Sequence, residues 1–305
     1  MYVTNSVTEK FTPIGHKQRF LVKEKRQNYT DHDRLFKQLI KTFFREFLEA
    51  FFPELHEQID FNKITFLSEE KHTHDGNKRI LDLVVEVKWK ETDTAIVVHI
   101  EPQSSVQTDF HVRMFKYYGI LYNKLNKPII PIAIFSYEED WEESAFRISF
   151  SDIDVLRFEY LTLHLRKKNW REFMKQNNPV SAALLSKMGY SENEKVQVKL
   201  EFIKILTRLK LDREKTDLLF GFFETYLKLN EKEEEKFVAE ARKLENAEEV
   251  FELTISYKEE GRKEGRKEEK TEIALELLRK GLDKKLIMEV TKLEMDEIEK
   301  LEKRL

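Results

Sequence analysis

With 305 residues, 40% of them apolar and 36% charged, and a formal net charge of −3, the chain can fill a sizeable core and is no bulk polycation; any nucleic-acid contact must come from a local basic face. It has no cysteine, which excludes disulfides, thiolate metal sites and cysteine nucleophiles and leaves oxygen and histidine as the only metal ligands. The N-terminal MYVTNSVTEK lacks an apolar signal core, and no apolar run approaches the roughly 20 residues that span a bilayer, so a soluble cytoplasmic protein without a membrane partner is expected.

Residues 1–29 are mixed polar, end near the basic Lys23, Lys25 and Arg26, and read as an arm. From Asp31 to Leu55 the apolar residues Leu35, Phe36, Leu39, Ile40, Phe43, Phe44, Phe47, Leu48, Phe51 and Phe52 fall at helical spacing, and Pro53 is expected to help end that helix. After the turn-rich His74-Asp75-Gly76-Asn77, the runs ILDLVVEVKW and TAIVVHIE are rich in β-branched residues and are separated by Lys90-Glu91-Thr92-Asp93, the pattern of a strand hairpin. A helix is expected over about 108–125 and a buried strand over Ile129–Phe135, within which Pro131 is unusual. The order helix, strand, strand, helix, strand points to an α/β sandwich. ISFSDI and FEYLTLHL are candidate further strands, and Asn178-Pro179 marks a break after LRKKNWREFMK.

From about Val180 the signals are helical. The expected organisation is the arm at 1–29, a core at 30–177, a helical region at 178–257, a charged helical linker at 258–270 and a small module at 271–305. The linker repeats Gly-Arg-Lys-Glu at Gly261 and Gly265 inside a dense charge run. The module reads as three short helices, the first stopped by Gly281, and resembles a miniature helix-turn-helix.

Alternation along a strand puts Glu101 and Gln103 on one face. On the preceding strand Asp82 sits between Leu81 and Leu83, where an acid is costly to bury unless paired or bound to a metal. If the two strands pair through a turn near residue 91, opposite residue numbers sum to about 183 and Asp82 faces Glu101. Two carboxylates so placed make a hard oxygen site suited to Mg²⁺ or Mn²⁺, able to polarise a phosphate. The plainer alternative is that Asp82 caps a turn or pairs with Arg79 and that Glu101 is a strand-end surface acid. Glu86-Val87-Lys88 spells Glu-x-Lys, but Glu86 lies four residues after Asp82 on the same strand face, about 13 Å away, too far to share one metal.

DHDRLFKQLI, followed by LDLVVEV and then HIEPQSS, resembles the recombination-promoting nuclease (Rpn) family, also called YhgA-like putative transposases, within the PD-(D/E)XK nuclease superfamily. The resemblance covers roughly residues 30–137 and implies a restriction-endonuclease-like α/β core, a mixed central sheet flanked by helices, followed by a mostly helical C-terminal region. It further implies a Mg²⁺- or Mn²⁺-dependent DNA endonuclease linked to recombination or mobile elements. Asp82 and Glu101 are then the metal-binding acids, Gln103 the third catalytic member, and Asp33 a further acid from the leading helix. Gln103 departs from the superfamily's lysine, though glutamine is usual in this family; an amide can orient water and bond a phosphate oxygen but carries no charge. Asp33 also fits a capping box with Thr30. His32 and His99 are candidate ligands on paper, and His99 shares the face of Glu101, although a hydrogen-bonded core histidine is the commoner role.

Gln107, Arg113, Lys116 and Tyr117 are the expected nucleic-acid contacts, with Arg113 and Lys116 on one helical face for sequence-independent phosphate binding. Arg166, Lys167, Lys168, Arg171 and Lys175 around Trp170 form a second, weaker basic cluster. The last helix carries Glu294, Asp296, Glu297, Glu299 and Glu302, whose repulsion from phosphate argues for self-association or partner docking over groove binding. Two competing functions stay open: a catalytically inactive relative that binds nucleic acid or protein, and an RNA-directed nuclease.

Overall fold

The computed structural model describes residues 34–67, 70–72, 78–80, 83–91, 95–103, 105–139, 141 and 143–303. The N-terminal arm, His32, Asp33, the turn at 74–77, Asp82 and the turn residues 92–94 lie outside them.

The Phe-rich segment is helical over 34–42 (α1) and Phe44–Phe51 (α2). Its hydrogen-bond ladder runs through the joint, since Phe43 N donates to Leu39 O (3.1 Å) and Phe47 N to Phe43 O (2.8 Å). Phe36, Leu39, Ile40, Phe43, Phe44, Phe47 and Leu48 are all buried, as the helical spacing predicts. Pro53 does not simply stop the helix: it takes the first position of a new one, Pro53–Gln58 (α3), where a missing N–H costs nothing.

The strands are Ile59–Phe66 (β1), Glu70–His72 (β2), Lys78–Ile80 (β3), Leu83–Trp89 (β4) and Ala95–Gln103 (β5). Helix Phe110–Leu125 (α4) then leads to Ile129–Phe135 (β6). The candidate strands beyond residue 136 are Ala145–Phe150 (β7), Ile153–Glu159 (β8) and Leu161–His164 (β9). The main sheet has the order β1-β4-β5-β6-β9, antiparallel as far as β5 and parallel from β5 to β9. β2 with β3 and β7 with β8 form two separate ribbons. This is the expected mixed sheet flanked by helices and followed by a mostly helical region.

Every β4·β5 pair, from Leu83↔Ile100 to Lys88↔Ala95, sums to the expected 183. Pro131 is tolerated in a central strand for a reason of phase. Val97 N bonds Pro128 O and Ser136 N bonds Gln103 O, both 2.9 Å, so even residues of β6 serve β5 and odd residues point toward β9, whose ladder starts only at Ile132↔Leu161.

One sheet face, with Leu83, Val85, Val87, Val98, Ile100, Ile132 and Ile134, packs in the large core with α1 and α2. The other face meets α4 through Val84, Val97, Tyr117 and Leu121. Asn178 caps helix Pro179–Leu184 (α6, after the short Trp170–Phe173, α5) by accepting from Val180 N and Ser181 N at 3.0 Å. Its amide also donates to Glu46 O (2.9 Å), tying α6 to α2.

Lys195–Leu209 (α7), Arg213–Tyr226 (α8) and Glu231–Ala241 (α9) extend the same core. Phe202 stacks on Phe223 at 4.0 Å, and buried Lys199 sits 2.9 Å from both Glu224 and Glu234, joining all three helices. The charged repeat, expected as a helical linker, lies inside one continuous helix, Ala247–Arg279 (α10). Gly281 ends that helix at φ +72°, with Gly281 N bonded to Leu278 O and Leu282 N to Leu277 O, a Schellman motif. The tail of α10 packs with Lys284–Thr291 (α11) and Met295–Glu302 (α12) around Ala274, Ile287, Leu293, Ile298 and Leu301.

Candidate active site

The C-terminal half of β5 changes character on its α4 face. Val97 is followed at alternate positions by His99, Glu101 and Gln103, which are 0%, 4% and 2% exposed. β4 and β6 flank the strand and α4 covers this face, so the strand's own length carries the three polar side chains under cover. Burying a carboxylate and an imidazole there is unfavourable unless each finds compensation.

Compensation is incomplete. His99 Nε2 lies 3.4 Å from Glu101 Oε2, but neither atom has a hydrogen-bond partner, and His99 Nδ1 has none either. Arg113 of α4 approaches Glu101 Oε1 to only 3.9 Å. Its firm bonds go elsewhere: it donates to Gln103 Oε1 at 2.8 Å and to the Gln107 side chain, with its guanidinium over the Phe110 ring. Gln103 Nε2 donates to Pro102 O (2.7 Å), and the Gln103 carbonyl accepts from Ser136 N (2.9 Å) and Oγ (3.2 Å), which fixes this end of the strand. The Tyr117 ring meets His99 edge-on at 6.0 Å.

The structure thus brings Glu101, Gln103, Gln107 and Arg113 together and adds His99. Lys116, one residue before Tyr117, is exposed, and Tyr117 itself is buried. Asp82 and Asp33 are outside the described residues, and β4 is described from Leu83, paired with Ile100. Glu86 is bound to Lys127 at 2.7 Å and lies opposite Val97, four residues short of Glu101 along β5. Among the described residues no group of three or more His, Asp or Glu side chains is assembled as a metal site. The orphaned buried oxygen of Glu101 nonetheless suits a hard cation, which would supply the missing partner.

Sequence reading underweighted two features. Arg113 reads as a phosphate contact on a helix face, yet it turns inward to the two glutamines, a reach of side-chain length that periodicity does not encode. His99 had the available signal, shared parity with Glu101, but its lack of hydrogen bonds is visible only in three dimensions.

Two arginines of the second basic cluster are engaged within the molecule. Arg166 bonds Glu138 Oε1 (2.8 Å) and Met188 O (3.1 Å), and Arg171 pairs with Glu194 while lying over the buried Trp170. Burial, reinforced by the Arg166 charge, pushes the neighbouring Lys187 ammonium down to about 8, and burial raises the Tyr190 hydroxyl to about 12.

Residues 30–209 match a family model described as "Putative transposase, YhgA-like". No curated protein and no solved structure matches the chain.

Proposed function

We propose that this chain, which belongs to the YhgA-like putative transposase family, is a metal-dependent DNA endonuclease associated with recombination or mobile elements. The observation that carries the reading is Glu101: a nearly sealed carboxylate with an oxygen that no donor satisfies, two residues from a buried glutamine held by an arginine. A buried acid of this kind is expensive as structure and useful as a ligand.

In this reading Glu101 and Asp82, the residue directly before Leu83, would hold Mg²⁺ or Mn²⁺. The ion would polarise the scissile phosphate and lower the pKa of a water. Gln103 has one amide hydrogen committed to Pro102 O and a second left to donate to a phosphate oxygen or to orient the attacking water. Gln103 carries no charge itself, and the Arg113 guanidinium bonded to its oxygen supplies the positive charge that a lysine would bring. Lys116, exposed on α4, would contact the phosphate backbone from outside, and Asp33 would support the site from the leading helix.

The test is incubation of the purified chain with DNA and RNA of the same sequence, in Mg²⁺, in Mn²⁺ and in EDTA. DNA cleavage that EDTA stops is expected. DNA binding without cleavage under any metal would favour the non-catalytic binding module. Preferential RNA cleavage would move the substrate class.

A further inference from the structure

His99 is the most completely buried ionisable side chain on the α4 face of β5, at 0% exposure, and neither ring nitrogen has a hydrogen bond. A neutral imidazole carries one donor and one acceptor, and sealing both away from water unpaired is unfavourable. The surroundings do not rescue it: Val84 lies opposite on β4, Val97 precedes it on the same face, and Tyr117 presents its ring at 6.0 Å. Among the described residues, the polar atom that approaches it is Glu101 Oε2, itself unsatisfied, 3.4 Å from Nε2. That spacing is too long for a good N–H···O⁻ bond, which falls near 2.7–2.9 Å. It is what two ligands of one ion show when each sits about 2.1 Å from the metal and they subtend an angle somewhat above 100°.

We infer that His99 Nε2 is a nitrogen ligand of the ion held by Glu101, so that the site takes a transition-metal dication such as Mn²⁺ in preference to Mg²⁺. The inference rests on the metal-site reading of Glu101. An all-oxygen site suits Mg²⁺, whereas an imidazole favours first-row transition metals.

Mn²⁺ serves as the probe. The full chain, labelled with ¹⁵N-histidine or unlabelled, is loaded with Mn²⁺ and examined by pulsed electron paramagnetic resonance, with calorimetry giving the Mn²⁺ and Mg²⁺ affinities. A directly bonded nitrogen coupling that changes with the isotope is expected. It should vanish in His99→Gln or His99→Asn, whichever retains the wild-type circular dichroism, while Mn²⁺ stays bound at least tenfold more weakly and Mg²⁺ affinity changes less than threefold. Bound Mn²⁺ without nitrogen coupling in the wild-type chain, or coupling that persists in a folded His99 variant, overturns the assignment of His99 alone. Failure of the wild-type chain to bind either ion overturns the metal-site reading as well.

Discussion

Arg113 shows how one side chain can organise others. Its two firm bonds hold Gln103 and Gln107, while its charge stands 3.9 Å from Glu101. Arg113→Met should therefore lower the cleavage rate by about tenfold, roughly 1.4 kcal/mol of barrier. It should leave metal affinity unchanged or tighter, because a cation beside the site has been removed. Weaker metal binding in calorimetry, or unaltered cleavage, would contradict this positioning role. Away from the site, Glu194 is held down to about 2 by the Ser191 N–H, then by the Ser191 hydroxyl and Arg171. A carboxylate whose folded pKa is depressed adds stability above its unfolded value near 4.5, lost as pH falls from there through about 2. Acid unfolding followed by tryptophan fluorescence should show a flatter limb between pH 4.5 and 2 for Glu194→Gln than for the wild-type chain. At this scale the sequence was partly legible. Glu101 and Gln103 stood out because an acid and an amide at alternate positions interrupt an apolar strand, whereas the inward turn of Arg113 depends on where α4 crosses β5.

The elements follow their local rules closely, and the exceptions are matters of context. The register of β4 on β5 could be counted from the turn, and all six observed pairs keep it. Pro53 could not be read the same way, since proline both ends helices and begins them, and only the redirection of the chain after Phe52 decides which. The glycine repeat reads as a charged helical linker, and it lies within the helix α10, which continues on both sides of it. Asn178 is the joint with the clearest predicted cost. Asn178→Ala removes both cap bonds on α6 and the donor to Glu46 O, and should lower stability by about 1–2 kcal/mol in urea unfolding. Asn178→Asp keeps the capping acceptor and loses only the donor, so it should fall between the two; equal stability of all three chains would contradict the cap as a tie between α6 and α2.

At the scale of the molecule, the largest apolar cluster and the C-terminal one share no residue among those described. The larger joins the sheet to the helices and reaches as far as Tyr257, and the smaller begins at Ala274. A chain ending at Tyr257 should thus keep a cooperative thermal transition and full metal affinity, and sedimentation should show that any self-association of the 305-residue chain is lost with the module. Loss of the transition would show that the long helix is needed to complete the main core. The central claim, that the buried strand acid is a metal ligand used for phosphodiester cleavage, is tested most directly by nicking of supercoiled plasmid in Mg²⁺ or Mn²⁺ by the wild-type, Glu101→Gln and Asp82→Asn chains. The two substitutions nearly preserve shape and remove one carboxylate each. The account predicts metal-dependent nicking by the wild-type chain and a loss of at least a hundredfold in each variant, with circular dichroism unchanged; nicking that persists in folded Glu101→Gln would contradict it.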